Sequence, residues 1–328
     1  MTAVAAPLIE VSGLTKHYKV RTGRFGRGEA VVHALDDVSF DVLKGETLSV
    51  VGESGSGKST LGLTLLQLRR ATSGTVVFNG QNLGEVSDRA LAPIRQRLQI
   101  VFQDPFSTLH PRMTVGEAIA LPIRFHRLVE PSKVRERVLA ILDDVGLPRR
   151  YENHYPHEMS GGQCQRVAIG RALACEPEFI VCDEAISALD VSVQAQIVNL
   201  LVDLQEKLGL TYLFIAHDIS VVRHISNRVA VMYLGHMVEL GPVDGVCERP
   251  LHPYTQALLS AVPRLGERFT GEEPIAGGEI PSPTAPPSGC RFHTRCPFAT
   301  DRCTVELPVL REVKVGHRAA CHYAERFL

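Results

Sequence analysis

No stretch of this sequence stays apolar for the roughly 18–20 residues that a bilayer-spanning helix needs. A chain that builds its own membrane channel from helices is thereby excluded. The opening MTAVAAPLIE has no basic segment and no long apolar core, so it does not read as a secretion signal, and the chain is expected in the cytoplasm. An excess of either charge is missing too: Lys and Arg total 35 against 36 Asp and Glu, for a formal net charge of −1. That removes any global pull toward nucleic acid or anionic lipid. There is no tandem repeat and no heptad run. What is present is 328 residues, 45% hydrophobic and 22% charged, enough for one large domain and an appendage.

Short β-rich runs alternate with helical patterns, which predicts an α/β fold with a mostly parallel sheet. ETLSVVG, LQIVFQ, FIVCDE, TYLFIAH and RVAVMYLG read as buried strands. In VSVQAQIVNLLVDLQEKLG, Val193, Ile197, Leu200, Leu201, Leu204 and Leu208 share one helical face, and Gly209 stops the helix. Residues from about 93 to 165 are mainly helical in pattern, SKVRERVLAILDDVG among them, and read as an inserted helical subdomain. RTGRFGRGEA near the start is expected as an exposed turn, and the Pro/Gly-rich residues 270–289 as an extended linker.

GESGSGKST matches G-x-x-x-x-G-K-S/T from Gly52 to Ser59, between a strand and a helix. In that context Gly52, Glu53, Ser54, Gly55, Ser56 and Gly57 wrap phosphates with backbone N–H groups, and the helix N-terminus adds positive potential. Lys58 reaches the β- and γ-phosphates, and the Ser59 hydroxyl ligates Mg²⁺. Thr60 lies in the first turn of the helix. Asp183 and Glu184 end the strand FIVCDE; Asp183 suits Mg²⁺, and Glu184 suits orienting and polarising an attacking water. Gln103 and His217 end two further strands, where α/β sheets bind their ligands, and are candidates for sensing the metal and the γ-phosphate. Taken singly, such residues are usually polar strand caps. Tyr18 is a candidate for stacking on adenine, although a lone tyrosine more often packs.

A second glycine turn, SGGQ at Ser160, Gly161, Gly162 and Gln163, heads another helix without any lysine. It can hold a γ-phosphate but not a whole nucleotide, so it suits the second half of a site built across two chains. With this turn the chain resembles the ATP-binding cassette (ABC) family, whose signature loop completes the ATP site of the opposite subunit. The likeness runs from residue 8 to about 245, through Tyr18, Gly52–Thr60, Gln103, Ser160–Gln163, Asp183–Glu184, SALD at Ser187–Asp190, and His217 in that order. It implies a RecA-like α/β P-loop core, an N-terminal antiparallel β subdomain and the helical insertion. It also implies ATP with Mg²⁺ held by Ser59, Gln103 and Asp183, a site role for Asp190, and two composite sites in a head-to-tail dimer.

IVFQDPFSTLHPRMTV, YPHEMSGGQCQRVAIGRALA, HPYTQALLSAVP and the cysteine-bearing tail extend the likeness to the F-type ATP-binding subunit of dipeptide/oligopeptide importers, with nickel importers as close relatives. That resemblance implies a peripheral ATPase on the cytoplasmic face of the membrane. Its partners would be a paired but distinct ATPase subunit, two permeases and an extracellular substrate-binding protein, with no nucleic acid. Phe102 and Phe106 lie where a permease helix would dock, and a core role for each is equally in keeping with the sequence. Met159, Cys164, Ala185 and His110 depart from the common pattern. Cys164 replaces a common Arg beside the signature turn, which lowers the ATP affinity expected across the dimer. The competing reading is a soluble cassette ATPase acting on nucleic acid or ribosomes; one cassette and no heptad run argue against it. A small-molecule kinase would leave SGGQ and SALD without a role.

The division expected is a nucleotide-binding domain over 1–245, a helix and linker over 246–289, and a Cys-rich region over 290–328. Of eight cysteines, Cys290, Cys296, Cys303 and Cys321 fall in that last region, and Cys182, inside a strand, reads as packing. So small a region is expected to need a cross-link or metal to fold, and disulfides are disfavoured in the cytosol. Zinc usually pairs cysteines two to four residues apart, whereas the first two gaps here hold five and six residues. Four widely spaced thiolates suit an iron–sulfur cluster. The importer resemblance implies a 4Fe–4S cluster on these four cysteines, with zinc as the alternative and His293, His317 and His322 as nearby substitute ligands.

Overall fold

The computed structural model describes residues 6–22, 28–260 and 277–328. In chain order the strands are β1 (Pro7–Thr22), β2 (Gly28–Leu43), β3 (Thr47–Val51), β4 (Ser73–Phe78), β5 (Gln81–Asn82), β6 (Leu98–Phe102), β7 (Phe179–Asp183), β8 (Thr211–Ile215), β9 (Arg228–Tyr233), β10 (His236–Pro242), β11 (Arg311–Lys314) and β12 (His317–Ala319). The helices are α1 (Lys58–Leu65), α2 (Asp88–Arg97), α3 (Pro105–Thr108), α4 (Val115–His126), α5 (Val134–Asp144), α6 (Gly161–Leu173), α7 (Val191–Leu208), α8 (Ile219–Ile225), α9 (Val243–Glu248), α10 (Pro253–Ser260) and α11 (Asp301–Val305). The middle of the RTGRFGRGEA turn and the first part of the 270–289 linker lie outside the described residues.

The chain forms two compact units. One comprises Leu43–Thr47 and Glu85–Ile215. Here β6, β7 and β8 run parallel, with Phe102 opposite Asp183 and Asp183 opposite Ile215. The apolar runs of β7 and β8 are buried because parallel strands are covered on both faces, whereas β6, with one strand neighbour, is half-buried. The connection from β6 to β7 is helical, α3 to α6. Strand β6, read from LQIVFQ, falls inside the 93–165 span whose pattern is otherwise mainly helical. Helix α7 starts at an Asp190 cap and stops at Gly209, whose φ of 67° is left-handed. Ile197, Leu200, Leu201 and Leu204 are buried as the period predicts, but Leu208 is 47% exposed, since the last turn runs past the core.

The other unit holds Pro7–Val42, Leu48–Gly84 and Ala216–Leu328. An antiparallel sheet of order β2-β1-β4-β5 is the expected N-terminal β subdomain. A second sheet pairs β3 with β9 in parallel, then β10, β12 and β11 antiparallel in turn. The last two strands come from the Cys-rich tail. Leu251 joins Ala319 and Ala324 in a small buried cluster with Val313, Cys321 and Phe327 packed on it. The tail thus borrows part of its core from the preceding segment, which the sequence reading did not foresee. Glu239, fully buried on β10, accepts N–H from Leu251 (2.7 Å) and His252 (3.0 Å) and faces His317 Nε2 at 2.8 Å.

Candidate functional site

In the unit holding β3, the phosphate loop leaves the strand at Gly52 and enters α1 at Lys58. Gly57 has φ 106°, and a Cβ there would stand 2.3 Å from Ala34 O, so only glycine fits. No side chain caps α1, which keeps its first N–H groups directed at the loop's concavity. The Lys58 ammonium bonds Gly52 O at 2.8 Å and Glu53 O at 3.1 Å, spanning the loop. Gly235 N donates to Ser56 O at 3.0 Å, and Ser56 N to Glu53 O at 3.2 Å. Ser54, Gly55 and Ser59 are exposed, and Thr60 is half-buried. Tyr18, half-buried on β1, carries Lys16 Nζ 5.0 Å from its ring centre. His217, also in this unit, is exposed.

In the other unit, Asp183 and Glu184 end β7, and Gln103 is exposed at the end of the neighbouring β6. Glu184 has φ 49°, a left-handed conformation that costs a non-glycine residue about 1–3 kcal/mol. Three hydrogen bonds hold it: Glu184 N donates to Ile215 O (3.0 Å), while its carbonyl accepts from Ser187 N (3.1 Å) and Ser187 Oγ (3.0 Å). The strain turns the chain sharply at the acidic strand end.

Ser160 is the N-cap of α6. Its Oγ accepts from Gln163 N at 3.3 Å, and Gln163 Oε1 accepts from Ser160 N at 3.0 Å, a capping box that leaves the Ser160 hydroxyl hydrogen to donate. Gln163 Nε2 reaches Tyr151 Oη at 3.0 Å. A Cβ on Gly162 would lie 2.4 Å from Val193 Cγ1 on α7, so the second glycine is a packing requirement. From the same helix, buried Gln165 donates to Phe102 O at 3.2 Å, joining the signature helix to the strand that ends at Gln103. Asp190 caps α7, accepting from Val193 N (3.0 Å) and Ser192 Oγ (2.8 Å); these bonds hold its carboxyl below the usual carboxylate range. Cys164 is fully buried and donates to Pro156 O at 3.4 Å; burial pushes its thiol up to about 11. Cys182 is fully buried as well, and burial pushes it up to about 12.

The four tail cysteines line one apolar pocket with Phe292, Phe298, Tyr323 and Phe327. His293 and His322 also face it, whereas His317 is engaged by Glu239. Burial pushes Cys290 up to about 12 and Cys296 up to about 11, so the thiols are protonated unless a cation draws the proton off. A tetrahedral zinc with Zn–S of about 2.3 Å brings its sulfurs to about 3.8 Å from one another. Among the described residues, the one group of three candidate ligands within 4.8 Å of one another is His17, His33 and Asp36, so no three of the pocket's thiols lie that close in this structure.

Sequence reasoning missed the residues that surround the phosphate loop. Tyr254 Oη accepts from Glu53 N at 2.8 Å, and Arg295 pairs with the Glu53 carboxylate. Asp36 collects His17, His33 and Arg291. Burial alone would raise the Asp36 pKa, but the hydrogen bond from His17 and the charges of His33, His236 and Arg291 hold it lower. The Tyr254, Arg295 and Arg291 partnerships span 201, 242 and 255 residues, and no local pattern encodes them.

Residues 35–187 match the ABC transporter family, and residues 238–303 match the oligopeptide/dipeptide transporter C-terminal region. A putative peptide import ATP-binding protein of Brucella ovis is 49% identical over 96% of this chain and 97% of its own length. The oligopeptide transport ATP-binding protein AppF of Bacillus subtilis is 48% identical over the same shares. Among solved structures, a dimeric ATP-binding cassette in a post-hydrolysis state with ADP and phosphate is 33% identical, with TM-score 0.64 over 72% of this chain and 98% of its own. A cassette from a Clostridium perfringens ABC transporter complex is 28% identical, with TM-score 0.63 over 73% and 90%. A phosphate loop on one unit, an acidic strand end and a capped SGGQ turn on the other, and likeness over nearly the whole length lead to one conclusion: the chain belongs to the ATP-binding subunits of ABC transporters, in their oligopeptide/dipeptide branch.

Proposed function

We propose that the chain is the ATP-hydrolysing motor subunit of a membrane importer of dipeptides or oligopeptides. The observation that carries this reading is a phosphate loop whose glycine is sterically obligatory, in a chain nearly half identical to peptide-import ATP-binding proteins end to end. Lys58 and the N–H groups of the Gly52–Thr60 loop bind the triphosphate, except those of Glu53 and Ser56, which are engaged by Tyr254 Oη and Glu53 O; Tyr18 stacks on the adenine. Ser59, Gln103 and Asp183 offer hydroxyl, amide and carboxylate oxygens, the hard donor set that Mg²⁺ takes, and the bound ion supplies charge screening at the γ-phosphate. Glu184 orients a water and accepts its proton as the water oxygen bonds to the γ-phosphorus and the bond to ADP breaks. His217 hydrogen-bonds the γ-phosphate. Ser160, Gly161, Gly162 and Gln163, with Asp190, serve the nucleotide of a second subunit. ATP then joins the subunits, and hydrolysis separates them.

The second subunit is a distinct ATPase; two permeases and an extracellular substrate-binding protein complete the assembly, with this chain peripheral at the cytoplasmic face. Among the described residues no helix is long and apolar enough to cross a membrane. Phe106, 49% exposed, is the candidate permease contact. The working division is 1–245 for the nucleotide-binding domain, 246–289 for the helix and linker, and 290–328 for the cluster region. There, Cys290, Cys296, Cys303 and Cys321 would hold a 4Fe–4S cluster with a structural role, with zinc as the alternative; the convergence of the four thiols on one apolar pocket is what supports a metal there. A soluble cassette acting on nucleic acid or ribosomes is not favoured.

The test is uptake of a radiolabelled tripeptide by cells lacking this chain. Uptake should be lost, restored by the wild type and not by Glu184→Gln. Unchanged uptake in the deletion rejects the substrate, and rescue by Glu184→Gln rejects the hydrolytic role. Anaerobically purified protein should absorb near 400 nm with about four irons per chain; colourless, iron-free protein rejects the cluster.

A further inference from the structure

The tail grips the phosphate loop. Arg295 Nη1 donates to Glu53 Oε2 at 2.8 Å and Nη2 to Oε1 at 3.1 Å, a two-bond pairing of planar groups. Exposed ion pairs contribute little, but the Arg295 side chain is only 10% exposed. Its guanidinium lies 5.9 Å from the Tyr233 ring and 5.8 Å from the Phe292 ring. Phe292 is itself buried, against Tyr233 and Tyr254. One turn earlier, Arg291 Nη2 donates to Asp36 Oδ2 at 2.7 Å. The short segment from Cys290 to Cys296 thus carries two arginine ties and an aromatic anchor, and one tie ends inside the phosphate loop.

Glu53 is an acid in a loop read as the seat of a triphosphate. An uncompensated carboxylate there opposes the nucleotide's own charge. We propose that Arg295 is a positioning residue for the phosphate loop: it neutralises Glu53 and holds that carboxylate to the tail, so that ATP affinity depends on the Cys290–Cys296 segment. This rests on the reading that Gly52–Ser59 binds the triphosphate. It assigns the tail a part in nucleotide binding, distinct from any structural role of its cysteines.

The test is titration of the full-length chain with a fluorescent ATP analogue and Mg²⁺. Arg295→Ala should bind about tenfold more weakly, and Arg295→Lys, which keeps the charge but loses the fork, about threefold more weakly. The double variant Arg295→Ala/Glu53→Gln should recover about threefold or more over Arg295→Ala, because the unpaired charge is gone. A merely structural arginine would show no such recovery. Arg311→Ala, on β11 and outside the Cys290–Cys296 segment, breaks a tail ion pair with Glu325 and should bind as the wild type does. The proposal is overturned if Arg295→Ala binds within about twofold of wild type, if Glu53→Gln brings no recovery, or if Arg311→Ala weakens binding equally. A Lys58→Ala chain that binds as tightly as wild type would instead refute the loop's role in nucleotide binding.

Discussion

Gly162→Ala puts the packing of the signature turn to a quantitative test. The new methyl would stand 2.4 Å from Val193 Cγ1, against 3.4–4 Å for an ordinary contact, an overlap of about 1 Å. Val193 cannot swing aside, since a β-branched side chain on a helix has essentially one rotamer. The start of α6 must therefore move off α7. Helix propensity alone would favour alanine by at most about 1 kcal/mol, whereas overpacking costs about 1–3 kcal/mol. The clash should win, lowering the melting temperature by several degrees, at about 2–4 °C per kcal/mol for a domain of this size. ATPase activity should fall with it, because the shift moves Ser160 as well. Val193→Ala in the same chain removes the obstructing methyl and should restore at least half of both losses. Scanning fluorimetry and steady-state phosphate release read the outcome. A Gly162→Ala chain that melts like the wild type, or a double variant with no recovery, refutes the geometry.

Glu184→Gln should keep ATP binding and lower turnover by about 10²-fold or more, the scale of losing a general base, measured by phosphate release; near-normal turnover ends the assignment. Ser160→Arg should leave nucleotide affinity of the isolated chain intact and abolish ATP-driven association in light scattering. Collapse of the monomer's affinity would show that the turn serves its own chain. Asp190→Ala removes a cap on α7 and should cost about 1 kcal/mol in denaturant unfolding; no change would mean the cap bonds contribute nothing. Cys321→Ser should reduce metal content, with His322 on the same pocket able to retain part of it, and iron analysis decides.

The five apolar runs read as buried strands are β3, β6, β7, β8 and β9; four are buried, because a strand covered on both faces is written as one uninterrupted hydrophobic run, whereas β6, interrupted by Gln99 and beside one strand only, is half-buried. Gly209 announced the end of α7 because left-handed termini select glycine. The phosphate loop and the SGGQ turn were equally legible, since each is a backbone shape that few sequences satisfy. Less visible were the 16-residue strands β1 and β2, which are interleaved with polar residues and lack a solid apolar signature. The tail's fold was also hidden. Its strands are three or four residues long, and its cluster needs Leu251 from an earlier segment. Glu53 illustrates the limit. The motif located it in the loop, but nothing near it in sequence signals Arg295.

The pairing of β12 with β10 bears on how the molecule behaves in a crowded solution. Glu239 and Leu240 of β10 face Ala319 and Arg318, and Ala320 N donates to Val238 O at 2.8 Å. Remove the tail and β10 becomes a bare sheet margin, and the Glu239 carboxylate loses its His317 partner. Unpaired strand margins recruit one another. The last forty or so residues therefore act as a guard against self-association, and a cassette shortened before them should emerge from the ribosome as aggregate, whatever its capacity for ATP.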